Sequence, residues 1–263
     1  LRKGKVGTES RLWVGIDWTK LKVGETEGML YICRGRERVP VRLRVVKADL
    51  PVQVEGHWFG NACGNEFSVP AWQFSACWPG RYAKWTFLPD LGRGEGCMGL
   101  SPVTAPSATS FEDAPCLEYQ VYFPKTGTQT VCLGVLPTQD VMPERGLRLA
   151  FGLDGGIVRT LDARQGFVDT FSEYTPKNLK KSPKLKPLPP RNKTLKLING
   201  DGFCRNEIFD NLRWLTAEFE VEKPGLHTFK VYMVDPEIVL EQLVFNPDNT
   251  HPSYFGAPSV RHQ

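Results

Sequence analysis

The sequence has no run of about 18 apolar residues, the length that a membrane-spanning helix needs. Its first four residues are neither an initiator methionine nor part of a signal peptide with an apolar centre. We therefore expect no membrane partner, and we expect a chain clipped from a longer protein. No long stretch repeats apolar residues at helical spacing. Because 25 Gly and 21 Pro also favour strands joined by turns, the predicted fold class is all-β.

Metal and catalytic signatures are also missing. The seven cysteines form no Cys-x-x-Cys pair and have no histidine at metal-ligand spacing, so we expect no zinc site. Glycoside hydrolysis needs two carboxylates at a defined separation, and no pair among the 29 Asp and Glu is singled out by spacing or setting. The four histidines form no nucleophile–base arrangement. The sequence therefore shows no complete active site and leaves the question of enzymatic activity open.

The cysteines could form disulfide bonds or pack as core residues. Cys63, Cys77 and Cys97 lie in a loop-rich stretch where disulfides would help. Cys116 and Cys132 fall in predicted strands and suit an apolar core. The odd count leaves at least one thiol free.

Positive charge is concentrated in one segment. Residues 177–196 hold eight of the 33 Lys and Arg and no acid, which leaves 25 basic against 29 acidic residues elsewhere. Prolines interrupt this run, so we interpret 176–196 as a basic, Pro-rich, solvated loop. The alternative is contact with a polyanion, either an acidic polysaccharide or, less expected, a nucleic acid.

Residues 1–49 are predicted to form two or three strands, at 11–17, 29–33 and 39–45. Three strands are too few to stand alone, because a small sandwich has about seven. We therefore interpret residues 1–49 as the remnant of an immunoglobulin-like linker domain.

Residues 50–263 are predicted to form one antiparallel β-sandwich. Apolar alternation on either side of a turn predicts three hairpins: 117–123 with 128–136, 147–153 with 157–161, and 217–221 with 227–233. A final strand is expected at 238–245. The apolar spacing near 206–214 predicts one short helix.

Four segments of this sandwich carry a family likeness, at 146–154, 211–213, 224–244 and 252–258. The most specific are Pro-Gly-Leu-His-Thr-Phe-Lys-Val-Tyr-Met-Val-Asp-Pro at 224–236 and Ser-Tyr-Phe-Gly-Ala-Pro at 253–258. These segments resemble the C-terminal domain of glycoside hydrolase family 115, whose members are xylan α-1,2-glucuronidases. Residues 11–18 are similar to the end of the linker domain that precedes it.

The resemblance implies a jelly roll like that of carbohydrate-binding modules, with the catalytic barrel upstream in the same protein. It therefore implies a non-catalytic accessory region of a secreted enzyme that supports or binds xylan-type polysaccharide such as glucuronoxylan, and that could take part in a homodimer. Two alternatives stay open. One is a purely structural or dimerisation sandwich without a glycan ligand, and the other is polyanion binding through residues 177–196.

One departure from the family concerns calcium. In related carbohydrate-binding sandwiches an acidic residue in the opening strand helps to hold a structural calcium ion. The matching segment, 52–58, keeps Glu55 and His57 but has Gly56 where an acid would stand. Calcium sites need several oxygen ligands, so a structural calcium near Glu55 is in doubt and is the one cofactor that the sequence suggests.

Sugars bind where aromatic faces cover the C–H side of a ring and polar groups meet the hydroxyls. The candidate carbohydrate-binding residues are five aromatics of a Gly- and Pro-rich stretch and two arginines that could face a uronic acid carboxylate: Trp58, Trp72, Trp78, Tyr82, Trp85, Arg148 and Arg213. Any one tryptophan could instead fill the core, and Trp72 and Trp78 are expected to be the most exposed. Each arginine could instead neutralise a neighbouring acid.

Two further polar residues are expected to be structural. Asp235 precedes Pro236 and is predicted to anchor a turn rather than to act as a catalytic acid. His227 lies among apolar residues of a strand, so we expect a half-buried histidine with satisfied hydrogen bonds.

Overall fold

The computed structural model of the chain describes most of its length: residues 14–47, 57–61, 66–138, 145–164, 211–247, 257, 259, 261 and 262. The chain divides into two compact units, residues 1–53 and 54–263. No helix among the described residues is long and apolar enough to span a membrane.

The first unit contains a two-stranded hairpin. Strand β1 (Gly24–Arg34) pairs antiparallel with β2 (Glu37–Lys47) along its full length. Gly35 lies in the tight turn between them with a φ of 59°. The strand predicted at 11–17 is not found in its described part, residues 14–17, and a short 3-10 helix, Trp18–Lys20, follows instead. The assignment to an immunoglobulin-like domain stays a prediction.

The second unit is a sandwich of two sheets. Sheet 1 has seven strands: β3 (Trp58–Phe59), β5 (Ala76–Trp78), β8 (Cys116–Phe123), β10 (Arg148–Leu153), β11 (Arg159–Asp162), β13 (Gly225–Met233) and β15 (Arg261–His262). Sheet 2 has six strands: β4 (Phe67–Pro70), β6 (Lys84–Pro89), β7 (Gly96–Ser101), β9 (Gly127–Val135), β12 (Arg213–Val221) and β14 (Leu240–Phe245).

The strands of sheet 1 follow the order β11-β10-β13-β8-β3-β15, and β5 also pairs with β8. Those of sheet 2 follow the order β12-β9-β14-β7-β6, and β4 also pairs with β14. All of these pairings are antiparallel except that of β3 with β8. The prediction of an all-β antiparallel sandwich is confirmed, and the part of the chain that the structure describes contains no α-helix.

Alternate residues of both sheets fill one core. In β8, for example, Leu117, Tyr119 and Val121 are fully buried, because every second side chain of a strand points to the same face. Rings from both sheets meet at centroid distances of 4.9 to 6.3 Å: Phe67, Phe123, Phe151, Phe219, Phe229 and Phe245. Most of these contacts are tilted or edge-to-face, the arrangement that aromatic pairs prefer.

Two of the three predicted hairpins are wrong, although their strands are found. Strands β8 and β9 lie in different sheets, and so do β12 and β13; only β10 and β11 form a hairpin. The connectors at 124–126 and 222–224 carry the chain across the core from one sheet to the other. Gly127 and Gly225 end these connectors at φ 106° and 138°, values that side-chain-bearing residues rarely adopt.

The two crossings lie side by side. Val221 pairs with Gly127 in sheet 2, and Gly225 pairs with Phe123 in sheet 1. Because each connector has the same length, the register of one sheet continues into the other without a shift. The segments 116–135 and 213–232 therefore form one antiparallel ribbon that is folded across the core.

The helix predicted near 206–214 is not found at residues 211–214. Asn211 has a positive φ of 53°, and β12 begins at Arg213. Strand pairing with β9 therefore overrides the local apolar spacing there. Residues 206–210 lie outside the described residues.

The cysteines that the structure describes are all free: Cys33, Cys77, Cys97, Cys116 and Cys132. The prediction of a disulfide is therefore wrong for Cys77 and Cys97, and Cys63 lies outside the described residues. Cys97 and Cys116 are buried, and burial raises the pKa of each thiol to about 12. These two behave as core residues.

Candidate functional site

The outward face of sheet 1 carries an aromatic row. Trp78 of β5 lies opposite Cys116 of β8, which in turn lies opposite Tyr232 of β13. Residues opposite each other share a face, and the chain neighbours Leu117 and Val231 are fully buried in the core, so the row points outward. Since neighbouring strands are 4.7–4.9 Å apart, the backbones of Trp78 and Tyr232 are about 10 Å apart.

The two ends of this row differ in exposure. Trp78 is 55% exposed, whereas Cys116 between the two rings is only 6% exposed. Tyr232 is half-buried because the ring of Phe111 packs on it at a centroid distance of 5.4 Å. Burial raises the pKa of Tyr232, so its phenol keeps its proton at neutral pH and can donate a hydrogen bond.

A charged pair forms the next row along the strands. Lys230 of β13 lies opposite Glu118 of β8, and the Lys230 Nζ is 2.6 Å from the Glu118 Oε1. The Glu118 carboxylate raises the pKa of Lys230. Both side chains keep some exposure, 29% and 18%. This pair therefore offers both a donor and an acceptor at a fixed place.

A third row adds neutral polar groups. Gln120 of β8 lies opposite Thr228 of β13, and the Gln120 Nε2 donates to the Thr228 Oγ1 at 3.2 Å. Aromatic faces, a charged pair and an amide–hydroxyl pair thus follow one another about 7 Å apart along the strands. Aromatic rings pack on C–H groups and the polar rows exchange hydrogen bonds with hydroxyls, so the face suits a polyhydroxylated ligand.

Four of the five predicted aromatics form two groups, one exposed and one buried. Trp78 and Tyr82 are 55% and 57% exposed, and the Arg81 guanidinium lies 5.2 Å from the centre of the Tyr82 ring. Trp58 and Trp85 are each only 4% exposed. These two side chains are therefore core residues in the described part of the chain, and contact of either with a ligand stays a prediction.

The burial of the remaining tryptophans has specific causes. Trp58 packs against the Tyr122 ring at a centroid distance of 5.4 Å, and Trp85 is part of the main core. Trp72 was expected to be among the most exposed, but it is half-buried, packs on the core and contacts the Phe87 ring at 5.9 Å. Core packing, the alternative considered for any one tryptophan, thus applies to all three.

The two candidate arginines contact groups of the fold itself. Arg148 donates from Nε and Nη2 to the Asp235 carboxylate at 2.8 and 3.2 Å, so it neutralises a neighbouring acid. Arg213 is half-buried and its Nη1 donates to the Ala163 carbonyl oxygen. Contact of either arginine with a uronic acid carboxylate stays a prediction.

Asp235 has the anchoring role that the sequence indicates. It is fully buried, and its carboxylate accepts hydrogen bonds from the Ser107 hydroxyl at 2.6 Å and from the Arg148 backbone N–H at 2.8 Å. With the Arg148 guanidinium, these donors satisfy the carboxylate inside the fold. Asp235 therefore anchors the segment that follows β13 to β10 and to the Ser107 hydroxyl.

His227 is also satisfied within the fold. Its Nδ1 lies 2.5 Å from the Asp154 Oδ2, and its Nε2 lies 2.8 Å from the Lys223 carbonyl oxygen. The side chain is buried. This is the structural histidine that the strand pattern predicts.

Two of the predicted features cannot be placed. Glu55, with its suggested calcium, and the basic loop at 176–196 lie outside the described residues. Within the described part of the chain, no group of three or more His, Cys, Asp or Glu side chains could hold a metal ion. Both features stay predictions.

Sequence reasoning missed Tyr232, Phe111 and the Lys230–Glu118 pair. Tyr232 alternates with the buried Val231 and Met233, and this alternation was the one available signal that it faces outward. The pairing of β5 and β13 on either side of β8 cannot be read from local pattern. The aromatic row was therefore out of reach of the sequence.

Comparison with known families gives one extended match. The family model described as the glycosyl hydrolase family 115 C-terminal domain matches residues 65–173 and 202–259, which is more than half of the chain. No curated protein matches the chain.

Several solved structures are similar at low identity. A family 115 4-O-methyl-α-glucuronidase with specificity for decorated arabinogalactans is 14% identical with a TM-score of 0.35, and the match covers 66% of this chain. This chain spans only 17% of the length of that enzyme. A C-terminal family 6 carbohydrate-binding module of a marine laminarinase from Zobellia galactanivorans is 13% identical, with a TM-score of 0.37 and coverage of 69% of this chain and 99% of that one. A family 35 carbohydrate-binding module from Clostridium thermocellum is 12% identical, with a TM-score of 0.39 and coverage of 68% and 97%.

Proposed function

Because the chain belongs to the glycosyl hydrolase family 115 C-terminal domain family, we propose that it is a glycan-binding accessory region of a larger glycosyl hydrolase. The observation that carries this proposal is the row formed by Trp78, Cys116 and Tyr232 on the outward face of sheet 1. A tryptophan that is 55% exposed beside two polar rows is the combination that a sugar chain needs. No catalytic step is assigned to this region.

The proposed ligand is a xylan-type polysaccharide, in particular glucuronoxylan. Support comes from the segments at 224–236 and 253–258, which resemble those of family 115 xylan α-1,2-glucuronidases, and from the exposure of Trp78. The same proposal implies an extracellular protein in which an upstream catalytic barrel is the covalently attached partner.

The binding mode follows from the three rows. We propose that sugar rings lie on Trp78 and Tyr232, where the aromatic faces cover the C–H side of each sugar. Hydroxyls of the same chain exchange hydrogen bonds with the Lys230–Glu118 pair. Gln120 and Thr228 extend the polar surface to further sugars.

The test is titration calorimetry of the chain against glucuronoxylan oligosaccharides, with Trp78→Ala and Tyr31→Ala as a matched pair. Tyr31 is 54% exposed but lies in the hairpin of the first unit. We expect Trp78→Ala to weaken binding on the order of tenfold, because it removes an aromatic face and its apolar area. Tyr31→Ala should bind like the unchanged chain.

Other outcomes would favour the rival functions. Absence of binding at millimolar sugar would contradict the proposal and favour a purely structural or dimerisation role for the sandwich. Binding that falls steeply with salt and is lost when residues 177–196 are deleted would indicate a polyanion-binding module instead.

A further inference from the structure

The loop at 102–115, hereafter the 102–115 loop, connects β7 of sheet 2 to β8 of sheet 1. It runs beside β13, because the Ala108 N–H donates to the Val234 carbonyl oxygen at 2.8 Å. The aromatic row lies on the same side, since Phe111 of this loop packs on Tyr232. The 102–115 loop therefore borders the face proposed to bind glycan.

The first half of the loop is held by partly buried polar contacts. The Ser107 hydroxyl donates to the Asp235 carboxylate at 2.6 Å, and the Arg145 Nη1 donates to the Ala105 carbonyl oxygen at 3.1 Å. Asp235 is fully buried. Loss of the Ser107 hydrogen bond would therefore leave the buried Asp235 carboxylate with one donor fewer, and water does not reach it to replace that donor.

The second half is packed against the turn that follows Trp78. The Arg81 N–H donates to the Asp113 carbonyl oxygen at 2.9 Å. Gly80 lies so close that a Cβ there would come within 2.4 Å of Pro115 and 2.5 Å of the Asp113 carbonyl oxygen. The end of the loop is therefore packed tightly against the turn after Trp78.

Phe111 lies between these two fixed parts. Its ring contacts Tyr232 at 5.4 Å with an interplanar angle of 49°, yet 37% of the residue remains exposed. Phe111 therefore adds partly exposed aromatic surface beside Tyr232, which is one end of the aromatic row. Because its ring is only partly buried, Phe111 is able to contact a ligand at the side of the row.

We propose that Phe111 is a further ligand-contacting residue, and that Ser107 and Asp235 are positioning residues that hold the 102–115 loop in place for it. The ligand would be a pyranose chain whose C–H face contacts the Phe111 ring while the next ring lies toward Trp78. This inference rests on the proposed glycan-binding function and adds a residue and a specificity element to it.

The experiment compares three variants of the full chain with the unchanged chain in titrations with xylo-oligosaccharides. Phe111→Leu keeps apolar volume but removes the aromatic face, so we expect binding about threefold to tenfold weaker. Phe111→Trp restores an aromatic face and should bind at least as well as the unchanged chain. Glu112→Ala, a neighbouring exposed position of the same loop, serves as the control and should leave binding unchanged.

A second comparison tests the positioning residues. Ser107→Ala removes the hydroxyl that binds Asp235 and should weaken binding to a similar degree, whereas Ser107→Thr keeps the hydroxyl and should rescue it. A purely structural loop would shift thermal unfolding in Ser107→Ala without changing the affinity of the folded protein.

The outcomes separate this inference from the function on which it rests. If Trp78→Ala weakens binding and Phe111→Leu binds like the unchanged chain, the role of the loop is overturned and the proposed function stands. If the unchanged chain binds no xylo-oligosaccharide or glucuronoxylan, both are overturned.

Discussion

Burial changes the pKa of two thiols of the sandwich, those of Cys97 and Cys116. Cys97 is fully buried in β7 and its Sγ donates to the Leu91 carbonyl oxygen at 3.2 Å, while Cys116 is the middle residue of the aromatic row, between Trp78 and Tyr232. Burial raises the pKa of both thiols from 9.0 to about 12. Above pH 9 the unfolded chain therefore releases protons that the folded chain retains, and folding becomes less favourable as the pH rises.

We expect the free energy of unfolding to fall between pH 9 and pH 12 partly for this reason. Urea denaturation at a series of pH values measures it. The double variant Cys97→Ala, Cys116→Ala should lose part of the pH dependence, since alanine has no proton to release. An identical pH dependence in the variant would show that other groups account for it.

Single residues could be predicted from the sequence where their immediate neighbours decide their role. Asp235 before Pro236 is such a case, and so is His227 in an alternating strand. Trp58 and Trp85 are the opposite case. Their exposure depends on which sheet lies above them, and a Gly- and Pro-rich stretch holds no local sign of that. The exposure of Trp78 was therefore predicted correctly, whereas the burial of Trp58 and Trp85 could not be assigned from the sequence.

The crossings between the sheets depend on two glycines. Gly127 and Gly225 have φ values of 106° and 138°, and a Cβ at either would meet no other atom within 4 Å. The cost of a side chain at these positions therefore comes from the backbone alone.

Gly127→Ala and Gly225→Ala are expected to destabilise the sandwich by about 1–3 kcal/mol each. Gly94→Ala is the matched control, since Gly94 has no positive φ and a Cβ there would come no closer than 4.0 Å to another group. Urea denaturation of the three variants gives the comparison. Equal stability of all three would mean that the crossings tolerate other backbone conformations.

At the scale of elements, alternation predicts a strand and its buried face but not its neighbour. Strands β8 and β9 both bury every second residue, and a short turn joins them, so a hairpin and a crossing have the same local pattern. Only the pairing of each strand with a distant segment distinguishes the two. The six strands of the three predicted hairpins are therefore found, but two of the three hairpin pairings are not.

The second unit contains the whole main core. The buried cluster begins at Phe59 and takes in residues from both sheets, with none from the described part of the first unit. A segment with its own core is able to fold alone.

We expect residues 54–263 to fold without residues 1–53. Differential scanning calorimetry should give one cooperative transition close to that of the full chain, and glycan titration should give the same affinity. Loss of cooperative unfolding in the shorter chain would show that the first unit is required for the sandwich.

The folded ribbon also constrains how the molecule is made. Every strand partner of segment 116–135 within the ribbon lies in 213–232, so the first of these segments leaves the ribosome long before the second is synthesised. Of its strand partners, only β3 and β5 have then been synthesised, while β12, β13 and β14 are still missing. The sandwich therefore cannot be completed until nearly the whole chain has been synthesised. Until then, the apolar residues of segment 116–135 are a binding surface for chaperones.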